Sequence, residues 1–151
     1  MKKIKFIAYI GLVVLGIIQF FPTDKNESNL ILDTDFMKVN KVPLEVEKKI
    51  KVSCYDCHSN NTVYPWYSKL QPAAWFLEDH INEGKVELNF SEWGAYSNRR
   101  KVSKLQSIIK QIENSEMPLY SYTLMHRDAI FSEQEKLMVI DFMSRLKDSK
   151  E

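Results

Sequence analysis

The residues most able to do chemistry sit in one run of five, Cys54-Tyr55-Asp56-Cys57-His58. This is C-x-x-C-H, the attachment pattern of c-type haem. Two thiols three residues apart at a helix end can form thioethers to the two vinyl groups of one haem. The next residue then offers its imidazole to the iron as proximal ligand. Other chemistry fits parts of the motif. A bare C-x-x-C serves redox dithiols, but no βαβ pattern surrounds this one. A zinc site needs further ligands, and only His80 and His126 remain as histidines. A plain disulfide is the third alternative in an exported chain.

The motif must be positioned by other elements, and the chain is long enough to build them. It has 151 residues, of which 44% are hydrophobic and 27% charged. Those proportions provide a core and exclude disorder as the dominant state. The 21 basic and 20 acidic residues give a net charge of +1, so composition carries no nucleic-acid signal. Two cysteines are too few for a disulfide scaffold. No Walker loop, G-x-S-x-G elbow or zincin motif is present.

Residues 1–21 stand apart. Lys2, Lys3 and Lys5 precede an apolar run from Phe6 to Phe21 broken only by Gln19. A basic start before an apolar run predicts a signal anchor or a signal peptide. No small-x-small cleavage site and no cysteine follows directly, which favours an uncleaved transmembrane anchor. The lysines keep that end in the cytoplasm and export the rest to the periplasmic side of the inner membrane, or to the free periplasm if the segment is cleaved. Setting those lysines aside leaves 18 basic against 20 acidic residues in the exported part.

Residues 22–34 read as a linker, and 35–147 as one all-α domain followed by a short tail, 148–151. Pro43 to Val52 predicts a helix with acidic residues near its start and lysines near its end. Pro72 opens a second helix through about Glu83, which Gly84 terminates. Val102, Leu105, Ile108, Ile109 and Ile112 form one stripe at helical period. Ser132 and Glu135 have capping-box spacing and start a last helix to about Lys147. Met138 and Met143 on that helix are expected in the core. No strand alternation is convincing.

A wider succession is more specific. Cys54, Cys57, His58, Ser59 and Asn60 are followed by Thr62 and Tyr64-Pro65-Trp66-Tyr67. Glu116-Met117-Pro118 comes later, then His126, Ala129, Ser132 and Glu135. Over about residues 35–147 this resembles the bacterial haem-binding domain family. The resemblance implies covalent haem c and a cytochrome-c-like helical fold. Tyr64, Pro65, Trp66 and Tyr67 are then candidates to cover a haem face or edge, although aromatic residues also pack simply as core. For the second axial position Met117 leads, because the axial methionine often precedes proline in cytochrome-c-like domains, as it precedes Pro118 here. Met125, His80, His126 and an open position are the alternatives. A His58/Met117 pair would make an electron carrier rather than an enzyme, with a redox partner protein or a respiratory complex as partner. An open position with His126 or Arg127 as acid/base would instead make a sensor or a peroxidase-like enzyme. A third reading is a haem-bearing subunit of a larger redox complex.

Overall fold

The computed structural model describes residues 2–28 and 30–150. Residues 1, 29 and 151, which fall in the expected anchor, linker and tail, lie outside the described residues. The protein is helical throughout, and the one β contact among the described residues is an isolated bridge between Glu27 and Asn61.

The apolar N-terminal run forms α1, Lys2–Ile18, and buries none of its residues. At 17 residues it is about 26 Å long, shorter than a hydrocarbon core of about 30 Å. No helix among the described residues is long and apolar enough to cross a membrane, so the expected transmembrane anchor is not supported. The helix ends where Gln19 turns to polar partners. Its amide donates to the carbonyls of Leu15 and Gln71, and its Oε1 accepts the Gln71 N–H.

In the segment that follows, Asn26 is tied to the loop after the motif. The Asn26 side chain donates to the Ser59 carbonyl at 2.8 Å and to Thr62 Oγ1 at 2.9 Å, and its N–H donates to the Tyr64 hydroxyl. A short helix α2, Phe36–Asn40, follows, capped by the Asp35 carboxylate on the Met37 N–H. Phe36 is fully buried, and its ring meets Phe90 and Trp93 edge to face at 5.1 and 5.0 Å. Phe90 and Trp93 come from a 3-10 helix, Phe90–Ala95. Elements this short carry no readable period, and this aromatic centre of the core was not expected from the sequence.

The predicted first helix is α3, Leu44–Ile50, with Glu45 and Glu47 in its first turn and Lys48 and Lys49 in its last. It runs without a break into a single π-helical turn, Lys51–Tyr55, and then α4, Asp56–His58. The Cys54–His58 motif therefore closes one continuous helical path. The next long helix, α5, covers Ala73–Glu87. Gly84 lies inside it rather than ending it, where the helix passes close to the Cys57 backbone. Helix α6, Asn98–Glu113, buries Leu105, Ile109 and Ile112, the inner part of the expected stripe. A single turn α7, Tyr120–Thr123, leads towards α8, Glu133–Asp148, which buries Val139 and Met143 and packs along α6. Met138 is partly buried against the same core.

Helix α8 starts with the predicted capping box. Ser132 Oγ accepts the Glu135 N–H at 3.2 Å, and the Glu135 carboxylate accepts the Ser132 N–H at 2.7 Å. These bonds satisfy two otherwise orphaned groups at the helix start. The same carboxylate pairs with buried Lys49 of α3 at 3.2 Å. Its pKa is held below the ordinary value, chiefly by the Ser132 N–H. Ser132→Ala should lower stability by about 1 kcal/mol in urea denaturation, with an unchanged m-value.

Candidate functional site

Tyr55, Asp56 and His58 of the five-residue motif are each held by a different part of the fold. The π turn is pinned by Ser53, whose buried hydroxyl donates to the Ala129 carbonyl at 2.9 Å. Tyr55 points into the core, stacked on Phe90 at 5.2 Å, with its hydroxyl donating to the Asp35 carboxylate. Burial first, and Asp35 second, keep that phenol protonated. Asp56 faces the other way. Its carboxylate accepts the Tyr122 hydroxyl at 2.7 Å and the Val63 N–H at 3.1 Å. Tyr55 is thus kept out of the cavity that Cys54, Asp56, Cys57 and His58 line.

His58 is oriented by α5. Its Nδ1 lies 2.8 Å from the Gly84 carbonyl and 3.0 Å from the Leu88 carbonyl. A carbonyl can only accept, so Nδ1 carries the proton and Nε2 keeps its lone pair. Among the described residues no protein group bonds Nε2. This tautomer is the one a metal-ligating histidine adopts when a carbonyl holds its other nitrogen. Burial lowers the His58 pKa and so favours the neutral, ligating form. In return His58 gives the Leu88 carbonyl, just past the end of α5, a donor, and adds a second donor to the Gly84 carbonyl, which already accepts the Leu88 N–H at 2.9 Å.

That contact requires α5 to lie very close to α4. A Cβ on Gly84 would stand 2.7 Å from the Cys57 carbonyl oxygen, closer than side chains pack. Gly84 is therefore a close-approach glycine, which explains why the helix passes through it.

Two adjoining chambers open over the motif, of about 300 and 240 Å³. Ser53, Cys54, His58, Glu87, Met117 and Pro118 line both. The first adds Cys57, His80, Leu119 and Tyr122, and the second adds Leu88, Phe90, Ile108, Ile112 and Phe131. Charged and polar residues stand among these, Asp56 and Glu83 in the first and Lys104, Ser107 and Gln111 in the second, but the wall surface is mostly apolar, and space of this size suits an organic cofactor. Both cysteines are free thiols. Burial pushes Cys54 up to about 12 and Cys57 up to about 11, opposite to the depressed values of a reactive dithiol. Among the described residues no group of three or more His, Cys, Asp or Glu is placed to hold a bare metal ion. An imidazole with a free Nε2, two thiols beside it and an apolar cavity above fit a haem.

Met117 reaches the cavity through the end of α6. The Ser115 N–H bonds to the Ile112 carbonyl at 3.1 Å and the Glu116 N–H to the Gln111 carbonyl at 2.9 Å, with Ser115 left-handed at φ 56°. This is a Schellman ending. The helix thus stops before Pro118, and the Met117 N–H also bonds the Gln111 carbonyl at 3.3 Å. Of the rival residues, His80 lines the first chamber, with Nδ1 bonded to the Phe76 carbonyl. Met125 is exposed and lines neither chamber. His126 is stacked on Tyr122 at 4.1 Å and bonded through Nε2 to the Tyr67 hydroxyl at 2.9 Å, and it too lines neither.

The aromatic run lies elsewhere. None of Tyr64, Pro65, Trp66 and Tyr67 lines either chamber. Tyr64 clasps Asn26, Trp66 is two-thirds exposed, and Tyr67 belongs to the cluster with His126 and Tyr122. Sequence reasoning missed Gly84, Leu88, Phe90, Tyr122 and Phe131. Two of these act through backbone carbonyls or a missing Cβ, and such roles leave no mark on residue type.

The chain belongs to the haem-binding domain family, whose pattern matches residues 13–145. Haem binding is the property that the match and the cavity share. No curated protein and no solved structure matches the chain.

Gly84→Ala should force α5 away from α4 and loosen the two carbonyl bonds to His58. Stability should fall by about 1–3 kcal/mol in thermal unfolding, and haem retention should fall with it. Normal stability with full haem content would show that α5 need not lie so close.

Proposed function

We propose that the protein binds haem covalently through Cys54 and Cys57, with His58 as proximal and Met117 as distal iron ligand, and that it carries electrons. The observation that carries this reading is the His58 imidazole, fixed by two carbonyls with Nε2 free towards a cavity that both cysteines line. Each thiol adds across a vinyl double bond, its sulfur to one carbon and its proton to the other, with no net change in electrons. When bound, the haem supplies a one-electron couple between ferrous and ferric iron. The chain's own part is to fix the ligands and to exclude water. Gly84 and Leu88 hold the imidazole against rotation. The Schellman turn holds Met117, whose neutral, soft sulfur favours ferrous over ferric iron. Leu88, Phe90, Ile112 and Phe131 supply a wall of low polarity. His126 and Arg127 line neither chamber, which supports a carrier over a peroxidase-like enzyme.

Localisation and partners follow from the same proposal. Lys2, Lys3 and Lys5 before the exposed apolar α1 support export, with the domain on the periplasmic side of the inner membrane. A redox partner protein or a respiratory complex would exchange electrons with it there.

Protein matured with a haem-attachment system should keep its haem through denaturing electrophoresis and give a haem-stained band at its own mass. Replacing both cysteines by alanine should abolish the band. A stained band in that variant, or none in the native protein, would sink covalent attachment.

Met117→Ala should leave the haem attached, because the thioethers and His58 are untouched. It should open the sixth position to carbon monoxide, lower the reduction potential and remove the sulfur-to-iron charge-transfer band of the oxidised protein. If Met117 only packs, the variant would lose about 2–5 kcal/mol of stability while that band persisted.

A further inference from the structure

The two chambers differ in the charge around them. Asp56 and Glu83 line only the first, Glu87 lines both, and no lysine or arginine lines the first. The second is bounded along one face of α6 by Lys104, Ser107 and Gln111, at the 3 and 4 spacing that puts them in one row. Lys104 is the one lysine or arginine that lines either chamber. Its side chain is 24% exposed and pairs at 3.3 Å with Glu87, whose side chain is 76% exposed. An ion pair to so exposed a carboxylate is weak and readily exchanged. The side-chain amide of half-buried Gln111 has no partner among the described residues, while its carbonyl is fixed by Glu116 and Met117. The Ser107 hydroxyl is already donated to the Ser103 carbonyl.

We propose that Lys104 and Gln111 receive the carboxylate side chains of the haem. The proposal rests on the haem reading above and adds the direction in which the cofactor lies. A haem carries its two carboxylates on the edge opposite its vinyl groups. With the vinyl edge at Cys54 and Cys57, the carboxylates must reach other elements of the fold. A carboxylate placed against Asp56, Glu83 and Glu87 would be repelled, and one buried without a partner would be strongly disfavoured. The row on α6 offers one ammonium and one free amide, which together donate to carboxylate oxygens. Glu87 is exposed enough to swing into water as the carboxylate takes its place. Ser107 remains an onlooker.

The test uses the full chain with its haem attached. Resonance Raman spectra report the bending bands of the haem carboxylates, and electrochemistry reports the potential. Lys104→Met should shift those bands and lower the potential, because a positive charge near the iron disfavours the ferric state. Lys110→Met removes the same charge from an exposed position of α6 and should leave the bands in place. Gln111→Leu removes the amide donors without changing charge and should shift the bands alone, so it decides the matter if Lys104→Met fails to mature. Haem attached as usual with bands unmoved in the Lys104 and Gln111 variants would overturn this assignment and leave the haem reading standing. A native chain that takes up no haem would overturn both.

Discussion

The structure depends on the hydrogen bonds from the His58 imidazole to the carbonyls of Gly84 and Leu88. They fix three things together: the tautomer of His58, the orientation of its free nitrogen, and the distance between α4 and α5. The bonds form only because α5 presents hydrogen at residue 84, where any side chain would press on the Cys57 carbonyl. A backbone constraint on one helix thus sets the chemistry of a side chain on another. The exchange is mutual, since the Leu88 carbonyl just past the end of α5 gains a donor there.

The opposite wall is organised by a second backbone device. Helix α6 stops in a Schellman turn, and its Gln111 carbonyl takes the N–H groups of both Glu116 and Met117. The methionine is therefore carried on a rigid helix end rather than a free loop. The same helix buries Leu105, Ile109 and Ile112 against α8, so the wall shares its foundation with the core. Phe90 links the two halves. It stacks on Tyr55 of the motif, meets Phe36 in the aromatic centre and lines the second chamber.

The N-terminal region has two characters. α1 exposes its apolar surface along its whole length, while the segment after it is bound to the body. Asn26 gathers the loop behind His58 through Ser59, Thr62 and Tyr64, and Lys85 of α5 donates to the Asn26 side-chain Oδ1 in turn. The family match accordingly extends well before the helical domain that the sequence delimits. The aromatic run that looked like cofactor wall acts in this clasp and in the Tyr67–His126–Tyr122 cluster.

What the sequence by itself determined is local or covalent. The C-x-x-C-H spacing, the helical stripe on α6, the capping box at Ser132 and the exposed helix-forming run at the start can each be read within a few turns of chain, because hydrogen bonding and side-chain periodicity at that range follow from residue order. Tertiary structure alone decided which nitrogen of His58 is free, why Gly84 sits inside a helix, that Met117 and not Met125 lines the cavity, and that Tyr64 to Tyr67 stay outside it. These outcomes turn on backbone carbonyls, a missing Cβ and the close approach of segments about 26 to 60 residues apart. Residue type does not encode such distances; they exist only once the helices have packed.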